Sequence, residues 1–148
     1  LPLLGIGLGA FTGGFTADQL RPRFGNRLGS ALPGLVGLPL AAAAVCGAAL
    51  TPEPLAAALL LASAAALAAA GVAPAWAVCV EIGGAHSATV SGAMNTFGNL
   101  GGALCPVLVG LCVQRFGSWG WSLVSIAVLY LAAGACWVAV DPRRRISL

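Results

Sequence analysis

The stretch LAAALLLASAAALAAAGVAPAWAVCV, Leu55 to Val80, decides how this chain is read. It runs for 26 residues without a charge. As a helix rising about 1.5 Å per residue it is roughly 39 Å long, enough to cross about 30 Å of hydrocarbon. A membrane barrel strand needs only about 9–11 residues and alternating polarity, and no such alternation is present. The pattern repeats on both sides. Leu28 to Leu50 holds 23 residues without a charge, Ala88 to Val113 holds 26, and Trp121 to Val140 holds 20. Leu1 to Ala17 is apolar and Gly-rich, at the short limit for a span. Polar breaks separate these runs: Asp18 to Arg27, Thr51 to Pro54, Glu81 to Ser87 and Gln114 to Gly120, with a polar tail from Asp141 to Leu148. The expectation is an all-α integral membrane chain with four full transmembrane helices and one partial helix, over residues 1–17, 28–50, 55–80, 88–113 and 121–140.

Bulk composition agrees. Of 148 residues 59% are hydrophobic and 7% charged, with a mean hydropathy of +0.97, whereas soluble domains carry about 25% charged residues. The 21 Gly and 9 Pro fall largely inside the apolar runs, where small residues let membrane helices approach closely and Pro is tolerated. Cys46, Cys79, Cys105, Cys112 and Cys136 lie in apolar stretches without a CxxC pair and read as small reduced hydrophobes. No basic face with interleaved aromatics exists, so nucleic acid is not an expected partner.

The seven basic residues are all Arg, and they are clustered. Arg21, Arg23 and Arg27 lie in the first polar break, and Arg143, Arg144 and Arg145 in the tail. Four spans separate the two sites, so both fall on one side, with Arg115 on the other. By the positive-inside rule the first break and the C-terminus are cytoplasmic. Trp119 and Trp121 read as interfacial anchors at the opposite boundary. The chain begins at Leu1, inside an apolar run and without a charged leader, so it reads as a fragment.

The first break reads Gly13-Gly14-Phe15-Thr16-Ala17-Asp18-Gln19-Leu20-Arg21-Pro22-Arg23-Phe24-Gly25-Asn26-Arg27. The spacing Gly14-x-x-x-Asp18, with basic residues and Gly25-x-Arg27 after it, resembles the cytoplasmic signature loop of the major facilitator superfamily. Gln19 stands where that loop has a basic residue, and extra residues precede Gly25. With four spans following, the resemblance implies the loop between helices eight and nine. The chain would then be the C-terminal part of a twelve-helix fold, its partners the lipid bilayer and the N-terminal half of the same protein. Asp18 at a helix end can pair with Arg or cap a neighbouring helix. Gly14, Asp18, Arg23 and Arg27 are therefore candidates for gating the cytoplasmic side, and a plain positive-inside loop is the alternative.

A second stretch, Ser91-Gly92-Ala93-Met94-Asn95-Thr96-Phe97-Gly98-Asn99-Leu100-Gly101-Gly102, leads to Pro106 and Gly110. With Trp76 before Glu81-Ile82, it resembles the anion:cation symporter branch of that superfamily, near helices ten and eleven. That resemblance implies a small organic anion such as a sugar acid, carried with protons or sodium across the cell inner membrane by alternating access, without a cofactor. The residues themselves locate the site similarly. Asn95 and Asn99 are four apart and share a helix face, which is costly against lipid and should meet protein or water. Their carboxamides suit hydroxyls or a carboxylate, or they hold helices together. Asn95, Asn99 and Trp76 are the candidate substrate contacts. Gly98 and Gly102 form a pair suited to helix packing. Pro106 is expected to kink its helix, either for motion or as fixed shape. Glu81 and His86 are expected to be solvated near a membrane surface.

A membrane enzyme would need an intramembrane His cluster, paired carboxylates or a nucleophile with a base. One His and four scattered acids do not supply it, so no enzymatic activity is expected. A non-catalytic membrane subunit or scaffold would explain the small-residue packing but not the polar Asn face. A major facilitator for another substrate class, a sugar or drug, is the remaining alternative.

Overall fold

The computed structural model describes residues 2–143, and among these every regular element is helical. The helices are α1 (Pro2–Leu50), α2 (Pro54–Ala69), α3 (Val72–Gly83), α4 (Ser87–Phe116) and α5 (Trp119–Ala139), with a short 3₁₀ turn at Gly84–His86 between α3 and α4.

Helix α1 is interrupted once, at Gly25, whose φ of 79° and ψ of 166° are non-helical. Glycine takes a positive φ at no steric cost, and here it turns the chain back on itself. A Cβ placed on Gly29 would lie 2.5 Å from the backbone nitrogen of Arg21. Residues eight apart in a straight helix are about 12 Å apart. The same reversal brings Thr12, Thr16 and Leu20 to a crevice shared with Leu40, Val36 and Leu32. So α1 is an outgoing arm before Gly25 and a returning arm after it. The polar break expected as a loop over residues 18–27 is thus helical on both sides of a single glycine. The Thr12 and Thr16 hydroxyls on the outgoing arm donate to carbonyls one turn back, at 2.8 Å to Leu8 and 2.6 Å to Thr12. Both hydroxyl donors are thereby satisfied within the helix.

Helices α2 and α3 follow one another across a small irregularity at Ala70 and Gly71. Amide bonds from Ala70 to the Ala66 carbonyl and from Ala75 to that of Gly71, both 3.1 Å, keep the helical ladder nearly continuous. Pro54 opens α2 at a position where its missing N–H costs nothing. At Gly84 a φ of 50° ends the run, and α4 returns along α3, with the Cys79 and Met94 sulfurs 3.3 Å apart. At the far end Gly117 is left-handed and donates to Val113 at 2.9 Å, a standard helix stop. The Ser118 hydroxyl caps α5 by accepting from Gly120 at 3.2 Å. Helix α5 returns along α4, with Ser122 donating to the Val109 carbonyl at 3.4 Å and the rings of Phe116 and Trp121 5.5 Å apart.

Three helical stretches, Leu3–Leu50, Pro54–Phe116 and Trp119–Ala139, are long and apolar enough to cross a membrane. The reversals at Gly25 and at Gly84–His86 fold the first two back on themselves. The chain therefore runs as five arms, each antiparallel to the one before it in sequence. The Gly25 turn, the Gly84–His86 turn and the end of α5 gather at one end of the bundle. Residues 50–54 and 116–119 gather at the other.

The packing places small residues inside and large apolar ones outside. The buried cluster is Ala41, Ala42, Val45, Ala64 and Ala127, while Leu3, Phe11, Leu50 and Phe97 are more than 70% exposed. Water would penalise such a surface, at about 25 cal/mol per Å² of apolar area, and lipid does not. On the outgoing arm of α1, Gly5, Gly9 and Gly13 recur every four residues and lie against the backbone of Ala62 and Ala66 in α2 and of Ala70 just past its end. A side chain at Gly9 or Gly13 would overlap that backbone. Small residues on both helices thus let the axes approach closely, which drives association where no hydrophobic effect operates between helices.

Candidate functional site

Two regions gather most of the described charged and amide side chains of the bundle. The first is the end that holds the Gly25 turn. Arg21 leaves the outgoing arm and meets Glu81 of the last turn of α3, with Nη1 3.2 Å from Oε1. Its Nε donates to the hydroxyl of Ser30 at 3.0 Å, and Ser30 is 1% exposed. Asn26, just past the reversal, donates its Nδ2 to the other Glu81 oxygen at 2.7 Å. One carboxylate therefore ties both arms of α1 to α3. Both charges are about a quarter exposed, so water screens the pair only in part. Glu81, expected to be solvated, is instead the centre of this network.

The first and last segments meet at the same end. Arg27 donates from Nη2 to the Val138 carbonyl at 2.9 Å. A cation on a helix's final carbonyls satisfies an orphan acceptor and complements the helix dipole. Asp141 follows, accepting from Arg143 Nε at 3.1 Å, from its Nη2 at 3.2 Å and from its backbone N–H at 3.1 Å. These bonds from Arg143 hold the Asp141 carboxyl below the ordinary carboxylate range. A lowered folded pKa gives an interaction present above the unfolded value and lost as pH falls through the folded one. The turn at Asp141–Arg143 should therefore hold at neutral pH and release only in acid below the usual carboxylate range. Arg144 and Arg145 lie outside the described residues.

The expected gating residues divide between contact and surface. Gly14 approaches Ala73 of α3, where an added Cβ would sit 3.2 Å from the alanine methyl. Asp18 is exposed beside a small crevice that it shares with Arg21 and Pro74. Among the described residues the ion pairs are Arg21–Glu81 and Arg143–Asp141, and Asp18 belongs to neither. Arg23 is exposed and Arg27 is bound to α5. Pro106 is exposed within α4, whose helix continues through it from Ser87 to Phe116.

The network makes a measurable claim. In a double-mutant cycle with Arg21→Met and Glu81→Gln, the coupling should be about 1 kcal/mol, at the upper end of the exposed-pair range because the pair is part-buried and shares Asn26 and Ser30. Thermal unfolding of the four proteins in detergent measures it. Additive effects of the two changes would show that the pair contributes nothing.

The second region is the outer face of α4. No described residue of α4 is buried. Asn95, Thr96 and Asn99 are all exposed. A Cβ added at Gly92, Gly98, Gly101 or Gly102 would meet nothing within 4 Å. The Gly98–Gly102 pair, expected to serve helix packing, has no helix against it among the described residues. Asn99 donates its Nδ2 to the backbone carbonyl of Asn95 at 2.9 Å, and Thr96 donates to Gly92 at 2.9 Å. The carboxamide of Asn95 forms no hydrogen bond among the described residues. Trp76 is 40% exposed on α3. The register set by Gly83 against Val90 and Cys79 beside Met94 carries Trp76 to the depth of Phe97. It therefore lies within a turn of Asn95 and Asn99 in depth, though no hydrogen bond joins it to either.

No family model, no curated protein and no solved structure matches this chain.

Proposed function

We propose that this chain is the C-terminal part of a secondary transporter of the major facilitator type, contributing four full membrane spans and one partial span. Its substrate is a small organic anion such as a sugar acid, coupled to protons or sodium. The observation that carries the reading is the bare face of α4. It combines two exposed carboxamides with glycines that no described residue packs against, on the outside of a largely apolar bundle. A carboxamide facing hydrocarbon is costly, so this face calls for a partner that supplies water or protein. A second half packed across it would create a polar path at mid-depth, where transporters of this architecture place substrate.

In this reading Asn95 is the main contact, because its carboxamide is uncommitted within the described residues, whereas Asn99 spends a donor on the backbone of Asn95. Trp76 offers an indole at the same depth. The Arg21–Glu81–Asn26 network and the Arg27 contact with α5 join the arms at the end that the arginine distribution assigns to the cytoplasm. Breaking and remaking such contacts is one way to couple opening at that end to rocking of the two halves. Uptake of labelled organic anions by vesicles carrying the full-length protein tests the proposal. Accumulation that depends on a proton or sodium gradient is the expected result. No substrate-dependent uptake of any organic anion would reject it and leave a non-catalytic membrane subunit, or a carrier for a sugar or drug, as the reading.

A further inference from the structure

Between the returning arm of α1 and the end of α5 lies a groove of about 560 Å³. Leu28, Ala31, Leu35 and Trp137 form its apolar lining, and Arg27 and Arg143 contribute two guanidinium groups to it. Both arginines belong to the end of the bundle where the Gly25 turn and the end of α5 meet. The groove is therefore amphipathic along its length, cationic toward the bundle end and hydrocarbon toward the membrane interior. It lies away from the bare face of α4 and takes no part in the substrate path proposed above.

We propose that this groove is a binding site for an anionic phospholipid, with the phosphodiester on Arg27 and Arg143 and an acyl chain along Leu28, Leu35 and Trp137. Each guanidinium presents five N–H donors in a planar fork suited to phosphate. Arg27 uses one group on the Val138 carbonyl, and Arg143 uses two on Asp141. Most of their donors are not used by these partners. Among the described residues Asp141 is the acid bonded at this site, and one carboxylate against two guanidiniums leaves the groove cationic. Basic pockets between helices at the cytoplasmic surface take anionic headgroups for this reason. A free phosphate would use only the polar mouth and leave the hydrocarbon wall bare. A lipid fills both.

The test is native mass spectrometry of the full-length protein in detergent, offered phosphatidylglycerol and phosphatidylcholine of identical chains in equal amount. The wild-type protein should retain phosphatidylglycerol in preference to phosphatidylcholine. Arg27→Gln and Arg143→Gln should each weaken phosphatidylglycerol binding about fivefold, the equivalent of about 1 kcal/mol per basic group. Arg115→Gln, at the opposite end of the bundle, should leave it unchanged. Equal retention of the two lipids by the wild-type protein would overturn the proposal without recourse to any variant. Undiminished binding by folded Arg27→Gln/Arg143→Gln protein would also overturn it. Displacement of the lipid by millimolar inorganic phosphate would identify a simple anion site and reject the lipid.

Discussion

Protein carrying Gly9→Val and Gly13→Val together is expected to lose most of its folded population, while Gly7→Val protein accumulates and melts like the wild type. All three positions are glycine on the outgoing arm of α1. They differ only in what a side chain would meet. At Gly9 and Gly13 the added carbon would overlap the backbone of Ala66 and Ala70, and at Gly7 it would meet nothing within 4 Å. Backbone cannot move aside as the tip of a flexible side chain can, so the helices must separate. Overpacking costs about 1–3 kcal/mol per site where side chains can adjust, and each of these two sites, set against backbone, lies at or beyond the top of that range, about 6 kcal/mol together. Folded chains hold only about 5–15 kcal/mol in reserve. For a chain near 150 residues each kcal/mol shifts the melting temperature by roughly 2–4 °C, so a fall of at least about 10 °C is expected. Thermal unfolding in detergent, read by circular dichroism, measures it. Equal melting of the Gly7 and Gly9/Gly13 variants would show that the close approach of α1 and α2 does not hold the bundle together.

Under the proposed function, replacing Asn95 by Ala in the full-length protein is expected to cut uptake of the proposed organic-anion substrate by roughly tenfold to a hundredfold, with normal expression and melting. A hydrogen bond to a charged partner contributes about 1.5–3 kcal/mol, and its loss appears in that range. No stability cost accompanies it, because Asn95 is exposed and its carboxamide holds no described residue. Asn99→Ala should cost less, since one of its donors already serves the backbone of its own helix. Unchanged transport by Asn95→Ala would remove this residue from the substrate path.

Much of the helical architecture is legible in the sequence because hydrocarbon imposes length. Runs such as Leu28 to Leu50 and Trp121 to Val140 are too long and uncharged for anything but helix, and the structure has helix over the first and over the second as far as Ala139. The ends of the helices were less legible. The first polar break reads as a loop from Asp18 to Arg27, yet helix continues through it to Phe24 and resumes at Asn26, since one glycine at positive φ suffices for the reversal. Polar residues mark where a chain leaves the membrane, not where its helix stops. The Gln114–Gly120 break narrows similarly, to Gly117 and Ser118, because a left-handed glycine followed by a serine cap needs no further residues.

The placement of the candidate residues was legible in part. Asn95 and Asn99 stand out by type and spacing, and their helix leaves that face open. Glu81 was missed as a network centre. The clue was present: alternating passes bring Glu81 to the same end as Arg21, and few acids are available there to neutralise three arginines. The loop reading directed attention to Asp18 instead, which is exposed and outside both ion pairs among the described residues. The depth of Trp76 relative to Asn95 depends on the register of α3 against α4, which sequence spacing does not determine.

The central claim is that α4 turns its Asn-bearing face to an aqueous path rather than to lipid. Single cysteines at Asn95, Asn99 and Val128, introduced into full-length protein lacking its own cysteines, test it most directly in membrane vesicles with a hydrophilic maleimide. Val128 is an exposed apolar position on α5 at mid-helix. The account predicts rapid labelling at Asn95 and Asn99, slowed by the transported anion, and no labelling at Val128. Asn95 as unreactive as Val128 would contradict it.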